Sequence, residues 1–347
     1  PFDLTKLIRP DIAAMEPYNP ILPFDVLSTR LGRPPEKIVK LDANENPYGP
    51  SPRIYEALAN EAHYHIYPDP DNNLLRDAIS RYLDIDKSYI LAGHGADELI
   101  DLSMRLLIQP DDVVINCPPT FGMYSFDTNL NSGKLVSIAR RPDFSVDLEA
   151  IQTAVSNAAR PKLLFVTSPN NPDGGVLNDG ELRRLLTLPV VVILDEAYVE
   201  FFGPSRAKWV TEFENLVVLR TFSKWAGLAG LRVGYGVFPE AIISHLRKIK
   251  QPYNVNLAAT VAASTSLHDV AYLMGNVAKI LREREQLYHQ LTQFDFLRPH
   301  PSQANFVLCH VLARDAHQLK LELERKGVLV RHFRTPRLNN YIRISIG

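Results

Sequence analysis

A single lysine in the segment RTFSKWAGLAGLRVGYG, residues 220–236, is flanked by side chains that could assist covalent chemistry. Lys224 follows Ser223 directly, and Arg232 lies eight residues further along the chain. A lysine amine can condense with an aldehyde, whereas a serine hydroxyl and an arginine guanidinium suit a phosphate group. The alternative is a solvated surface lysine. Together the three side chains indicate a ligand that carries both an aldehyde and a phosphate.

An anion site is also predicted in AGHGADELI, which follows the strand-like YILAG and opens a helix. The backbone amides of Ala96 and Asp97 would lie at the helix N-terminus, where unpaired N–H groups and the helix dipole favour a phosphate. An ordinary glycine-rich turn capped by Asp97 is the alternative. A nicotinamide dinucleotide loop is disfavoured because the third glycine of GxGxxG is missing.

Two further strand ends carry polar side chains. Asn171 of TSPNNPDG follows KLLFV, and its amide could donate to a ligand oxygen. Asp195 ends the apolar run VVVIL, so it should be at least partly buried, and a buried carboxylate needs a cation or a hydrogen-bond donor. Tyr198, three residues on, could reach the same site. The alternatives are plain turn chemistry at Asn171, and a helix cap with a core tyrosine at the other two positions.

One common ligand, pyridoxal phosphate, would use all of these groups. Asp195 would keep its pyridine nitrogen protonated, and Asn171 and Tyr198 would contact its ring oxygen. Lys224 would bind its aldehyde. Its phosphate would be bound by the turn at Ala96 together with Ser223 and Arg232.

The elements that must position these residues follow a regular pattern. From residue 40 onward, short apolar runs alternate with amphipathic stretches, which is typical of βα units and a mostly parallel sheet with its chemistry at strand C-terminal ends. After QPYNVN the pattern becomes helical, and strand-like NFVLCHV and YIRISIG then indicate a small α+β domain. The proline-rich first forty residues predict an extended arm. Helices are predicted at 26–31, 96–107, 124–131, 179–186, 256–265, 270–291 and 317–326.

Composition excludes several classes of protein. Lys and Arg number 38 against 39 Asp and Glu, so charge gives no case for a nucleic-acid or membrane partner. Cys117 and Cys309 are too few for a disulfide framework and lack metal-ligand spacing, so we expect inert core thiols, no metal and a reducing compartment. We expect a cytoplasmic location. A plastid stroma is the alternative, because the chain begins at Pro1 and a targeting segment could have been removed.

Eight motifs occur in order across residues 41–347: LDANENPYGPSP, YPDP, GADELIDL, CPPTFGMY, SPNNPDG, DEAYVEF, LRTFSKWAGLAGLRVGYG and YIRISIG. In this the chain resembles the fold-type I pyridoxal-phosphate aminotransferases of the class II subgroup, above all those that act on L-histidinol phosphate. The resemblance implies an α/β fold whose large domain has a mostly parallel seven-stranded sheet flanked by helices, plus a small α+β C-terminal domain. We expect the arm at 1–40, the cofactor-binding domain at 41–255 and the small domain at 256–347.

The resemblance implies a role for each cofactor residue. Lys224 binds the aldehyde and carries protons, Asp195 contacts the pyridine nitrogen, and Tyr198 with Asn171 contacts the ring oxygen. Phe121, at a position that is often tyrosine, would stack on the ring. The implied phosphate ligands are Ala96, Asp97, Ser223, Arg232 and Tyr67 of the partner subunit.

The same resemblance implies substrate contacts and a homodimer with shared sites. Arg343 matches the arginine that binds a substrate α-carboxylate, Arg331 and Tyr18 match contacts to the far end of the substrate, and Asn46 matches a position near it. The implied reaction, in histidine biosynthesis, moves an amino group between L-histidinol phosphate and 2-oxoglutarate, giving imidazole acetol phosphate and L-glutamate. Open alternatives are an aromatic aminotransferase, a lyase similar to threonine-phosphate decarboxylase, and a non-catalytic cofactor-binding regulator, which the lack of a basic patch disfavours.

Overall fold

The computed structural model describes residues 2–17 and 22–347 and contains two β-sheets with helices packed around them. The strands are β1 (Val39–Leu41), β2 (Ile90–Gly93), β3 (Val113–Asn116), β4 (Lys134–Ser137), β5 (Pro161–Thr167), β6 (Val191–Asp195), β7 (Leu216–Thr221), β8 (Gly234–Val237), β9 (Leu297–Pro299), β10 (Phe306–Val311), β11 (Val328–His332) and β12 (Tyr341–Ser345). The α-helices are α1 (Pro10–Ala13), α2 (Phe24–Leu31), α3 (Arg53–Asn60), α4 (Asn73–Leu83), α5 (Gly95–Leu107), α6 (Met123–Leu130), α7 (Leu148–Asn157), α8 (Asp179–Leu185), α9 (Glu240–Ile249), α10 (Leu257–His268), α11 (Val270–Leu291) and α12 (Ala316–Arg325).

The larger sheet has seven strands in the order β2-β8-β7-β6-β5-β3-β4. Its strand pairs are parallel except at β8, which runs antiparallel to both of its neighbours. All six residues of β7 are buried, as expected for a strand covered on both faces. The prediction of a mostly parallel seven-stranded sheet flanked by helices is therefore confirmed.

Alternate residues of the central strands point into two different hydrophobic cores. Leu164, Val192 and Val218 belong to the core on one face of the sheet, and Leu163 and Ile193 belong to the core on the other face. This alternation follows from the two-residue period of a β-strand. The alternation determines which residues near the strand ends lie on the same face of the sheet, and therefore which side chains can line one site.

The smaller sheet has the order β1-β11-β12-β10-β9 and is mixed, as expected for an α+β domain. Its outer strand β1 comes from the N-terminal part of the chain, where Leu41 pairs with Val330. The preceding arm packs Leu27 and Ile38 on Leu329. On the other side of the predicted boundary at 255, α10 packs against α3 and α4. The predicted domain limits at residues 40 and 255 stay predictions.

Helix limits agree with the sequence pattern to within three residues at the positions that were predicted. The long helix α11 has the expected bounds. Helix α2 begins two residues earlier than expected, because Phe24 and Asp25 belong to its first turn. In the part of the chain that the structure describes, no helix combines the length and apolarity needed to cross a membrane. No cluster of potential metal ligands occurs among those residues. Both cysteines are free and buried, and burial raises the pKa of Cys117 to about 11 and of Cys309 to about 12.

Candidate active site

A cavity of about 720 Å³ lies beyond the C-terminal ends of β5, β6 and β7 and is closed on one side by the smaller sheet. Such a position is usual for ligand sites in open α/β sheets. Most of the residues expected from the sequence line it: Ala96, Asp97, Phe121, Asn171, Asp195, Tyr198, Ser223, Lys224, Arg232, Arg331 and Arg343.

Lys224 lies three residues after the end of β7 and extends into this cavity. Its Nζ donates a hydrogen bond to the Ala43 carbonyl oxygen at 3.3 Å and lies 6.0 Å from the centre of the Tyr198 ring. Burial, and secondarily the positive charge of Arg343, lower the pKa of Lys224 to about 8. More of this amine is therefore unprotonated near neutral pH than for an exposed lysine, and only the unprotonated form is a nucleophile.

Asp195 is the last residue of β6 and its carboxylate is buried. The Tyr124 hydroxyl donates to Oδ2 at 2.6 Å, and the Ala197 backbone N–H donates to Oδ1 at 2.9 Å. Burial raises the pKa of Asp195 to about 6 in spite of these two bonds. No side-chain cation among the described residues forms an ion pair with it. Asp195 thus presents a negative charge to the cavity that no ion pair among the described residues neutralises.

The first turn of α5 forms a close cradle around an arginine side chain. Gly95 has φ +75, and a Cβ there would lie 2.8 Å from Arg232 Nη2. Only glycine fits both requirements. Arg232 Nη2 donates to Asp97 Oδ2 at 2.8 Å, beside the N-terminal turn of α5 that contains Ala96. Backbone N–H groups and a guanidinium therefore converge at one end of the cavity, which is the arrangement that an anionic group requires.

Ser223 is held next to this cradle by the end of β7. Its backbone N–H donates to Thr221 Oγ1 at 3.1 Å, and its hydroxyl accepts from the same atom at 2.9 Å. Because the serine hydroxyl accepts this bond, its own proton remains available to a ligand.

Residues from both sheets meet at the other end of the cavity. Arg343, on β12, donates from Nη1 to Asn171 Oδ1 at 2.5 Å and from Nη2 to the Asp42 carbonyl oxygen at 2.7 Å. Arg331 is its direct neighbour across the β11–β12 ladder. The Tyr198 hydroxyl accepts a 2.9 Å hydrogen bond from Asn44 Nδ2. Two guanidinium groups and a phenol are thus brought to one wall.

Comparison with known proteins identifies the family. The family model for aminotransferases of class I and II matches residues 36–347. The chain belongs to this family. It is 53% identical over 342 residues to the chloroplastic histidinol-phosphate aminotransferase of Nicotiana plumbaginifolia, covering 98% of this chain and 83% of that protein. It is 50% identical to the histidinol-phosphate aminotransferase of Roseiflexus castenholzii, covering 100% of this chain and 95% of the relative.

A solved structure with the same fold carries a ligand. The crystal structure of histidinol-phosphate aminotransferase from Sinorhizobium meliloti, in complex with pyridoxal-5'-phosphate, superposes with a TM-score of 0.89 at 27% identity. The match covers 98% of this chain and 92% of that one. This agreement confirms the fold-type I class of the present aminotransferase.

Three residues expected near the site of this aminotransferase are placed elsewhere or lie outside the description. Asn46 is absent from the lining of the cavity and donates from Nδ2 to the Trp225 carbonyl oxygen at 2.9 Å. Tyr67 is 79% exposed, stacks on Tyr253 with ring centres 4.6 Å apart and is absent from the lining of the cavity of its own chain. Tyr18 lies outside the described residues. The roles expected for all three stay predictions.

Other residues of the aminotransferase site were not found by sequence reasoning. Tyr124 and Asn44 contact Asp195 and Tyr198 from distant parts of the chain. Arg337 also lines the cavity and donates to the backbone carbonyl oxygens of Arg140 and Arg141. The available signal for Tyr124 was its place in the motif CPPTFGMY, only three residues after Phe121.

Proposed function

We propose that this aminotransferase uses pyridoxal phosphate to move an amino group between L-histidinol phosphate and 2-oxoglutarate, giving imidazole acetol phosphate and L-glutamate in histidine biosynthesis. The observation that carries the proposal is the cavity in which the Lys224 amine and the unbalanced Asp195 carboxylate lie together with Arg331 and Arg343. The identity of 50–53% to relatives named for this substrate supports it.

The chain has suitable partners for each part of the cofactor. The buried negative charge of Asp195 would hold a proton on the pyridine nitrogen, and that protonated ring supplies the electron-withdrawing chemistry. Asn171 and Tyr198 would contact the ring oxygen, and Phe121 would pack on the ring. The groups that would hold the phosphate are the amides of Ala96 and Asp97, the Ser223 hydroxyl and Arg232, with Tyr67 of the partner subunit.

Lys224 would have two roles in the reaction. Its Nζ would bind the cofactor aldehyde when no substrate is present, and with substrate bound the free amine would move the proton between the substrate Cα and the cofactor C4′. A pKa of about 8 suits both steps, because an amine near its pKa accepts and releases protons readily at neutral pH. The carbonyl of Ala43 limits where Nζ can point when the site is free.

The arginine pair gives a prediction about substrate choice. Arg343→Lys should impair both half-reactions, because a lysine cannot donate to both Asn171 and the Asp42 carbonyl while binding the carboxylate or phosphate of a substrate. Arg331→Ala should mainly impair the phosphate substrate. Loss of one charge-assisted contact should lower kcat/KM by roughly tenfold to a hundredfold. Kinetics of both half-reactions would test this, with Arg298→Ala, an exposed cation on β9, as the control. Unchanged kcat/KM for histidinol phosphate in Arg331→Ala would contradict the assignment.

The exposure of Tyr67 leads to a prediction about assembly. We propose a homodimer in which Tyr67 contacts the cofactor phosphate of the partner subunit. Hybrids of Tyr67→Phe and Lys224→Ala subunits would then have one site with both changes and one with neither, so they should be more active than either parent dimer. The measurement is the activity of purified, differently tagged hybrids against both parents and a wild-type/Lys224→Ala hybrid. Hybrids no more active than the parents would mean that Tyr67 serves its own subunit.

The closest competing reactions are distinguishable with the purified, cofactor-loaded protein. A panel of amino donors tested in the half-reaction would separate histidinol phosphate from aromatic amino acids. Dependence on 2-oxoglutarate supports the transferase, whereas release of carbon dioxide from threonine phosphate would support a lyase. Cytoplasmic location stays a prediction, and the tobacco relatives are named as chloroplastic.

A further inference from the structure

The buried phenol of Tyr124 has a fixed place between two polar side chains. It lies on α6, is 0% exposed and stacks on Phe165 with ring centres 4.6 Å apart. Its hydroxyl lies 2.6 Å from Asp195 Oδ2 and 2.8 Å from Thr167 Oγ1. Thr167 Oγ1 in turn lies 3.3 Å from Thr120 Oγ1. A buried tyrosine with two polar partners at these distances is not explained by packing alone.

The protons in this group can be assigned from the chemistry of its members. An ionised carboxylate only accepts, so the single Tyr124 proton goes to Asp195, and the Thr167 hydroxyl must then donate to Tyr124. The Thr120 hydroxyl donates its own proton to Asn170 Oδ1 at 2.8 Å. No proton is therefore left for a hydrogen bond across the 3.3 Å between the two threonine hydroxyls, and the hydrogen-bond network from Asp195 ends at Thr167. Thr167 fixes the direction in which the Tyr124 hydroxyl points.

The other charged groups around Asp195 act against its ionised form. Asp97, at the start of α5, and the neighbouring Glu196 both raise the pKa of Asp195 in addition to the burial that dominates. Tyr198 and Lys224 line the same cavity. The hydrogen bonds from Tyr124 and from the Ala197 N–H are the contacts that lower this pKa. Of the two, only the bond from Tyr124 comes from a side chain.

We propose that Tyr124 is a positioning residue that keeps the Asp195 carboxylate ionised and in one orientation for the cofactor, with Thr167 holding its hydroxyl in place. This inference rests on the proposed use of pyridoxal phosphate. Removal of the phenol hydroxyl leaves the buried Asp195 carboxylate with the Ala197 N–H as its one hydrogen-bond donor among the described residues. The carboxylate then takes up a proton at a higher pH and loses its ability to bind a protonated pyridine nitrogen.

The test measures noncovalent binding of pyridoxal phosphate as a function of pH. In a Lys224→Ala background, which removes the titrating amine, spectral titrations between about pH 6 and 8.5 compare Tyr124→Phe with its parent. We expect binding to be weaker by about tenfold or more at neutral pH and to approach the parent value as pH rises, because the lost bond is charge-assisted. With Lys224 present, kcat should fall while the KM for both substrates stays near the parent value.

Two sets of variants separate this role from a packing effect. Tyr235→Phe is the matched control, since Tyr235 is also 0% exposed and its hydroxyl has no hydrogen-bond partner within the described chain. Thr167→Val should reproduce the pH-dependent loss and Thr167→Ser should not, which keeps the test valid if Tyr124→Phe folds poorly. Equal binding at every pH for Tyr124→Phe, Thr167→Val and the control would overturn the inference. Failure of the parent protein to bind pyridoxal phosphate would instead refute the proposed function.

Discussion

Replacement of Lys224 by alanine should abolish turnover while the fold and noncovalent binding of pyridoxal phosphate persist. The amine would be both the covalent attachment point and the proton carrier, and loss of general acid–base catalysis alone corresponds to about 10²–10⁴-fold in rate. The phosphate cradle at Gly95 and Arg232 and the Asp195 carboxylate do not depend on the amine for their hydrogen bonds. Single-turnover kinetics, near-ultraviolet spectra of the bound cofactor and thermal unfolding would measure the three properties separately.

The covalent part of this expectation has its own check. Borohydride reduction of the parent enzyme should fix the cofactor to the peptide that contains Lys224. Lys208→Ala is a suitable control, because Lys208 is an exposed lysine that forms an ion pair with the exposed Asp84. Recovery of the reduced cofactor on any other lysine would contradict the assignment.

The second large effect is expected at Asp195. Asp195→Asn should lower kcat by on the order of 10²-fold or more, because a neutral amide cannot keep the pyridine nitrogen protonated. Asp195→Glu keeps the charge and should retain more activity. If the asparagine oxygen keeps the hydrogen bond from the Ala197 N–H, its NH₂ group faces the Tyr124 hydroxyl. Because both groups are then donors, the O–H of Tyr124 would have to rotate away. Steady-state kinetics of the two variants would measure this difference.

Stability distinguishes a chemical loss at Asp195 from misfolding. The pKa of Asp195 is raised above that of an unfolded aspartate, so its ionised form costs folding free energy at neutral pH. Without cofactor, Asp195→Asn should therefore unfold at the same temperature as the parent or higher. With cofactor added, the parent should gain more thermal stability than the variant. Equal activity of Asp195→Asn and the parent would refute the proposed contact with the ring nitrogen.

Much of the larger sheet could be predicted because its signals are local. The apolar run of β6, for example, is covered on both faces and so reads as a continuous hydrophobic segment that ends at a polar residue. The strand-end rule then places Asp195, Asn171 and Lys224 at one edge. Residues identified in this way do line a common cavity in the structure.

The contacts that complete the cavity could not be predicted because they join distant parts of the chain. Tyr124 and Asp195 are separated by 71 residues, and Arg343 and Asn171 by 172. No periodic pattern reports such pairs, since each depends on how the elements are packed. The strand β8 gives a weak local signal for a different reason: the glycines of GYGV reduce its strand propensity, although it pairs with both β2 and β7.

The insertion of β8 between β2 and β7 has a consequence for synthesis on the ribosome. Ile90–Gly93 emerges early, yet its sheet partner Gly234–Val237 is translated only after the other five strands of the sheet, β3 to β7. The nascent chain must therefore carry an unpaired strand edge through most of the translation of the larger sheet, a state that favours aggregation. The strand Val39–Leu41 stays unpaired for longer still, because its partner Val328–His332 is translated later. The smaller sheet therefore cannot close around Val39–Leu41 until residues 328–332 have been translated.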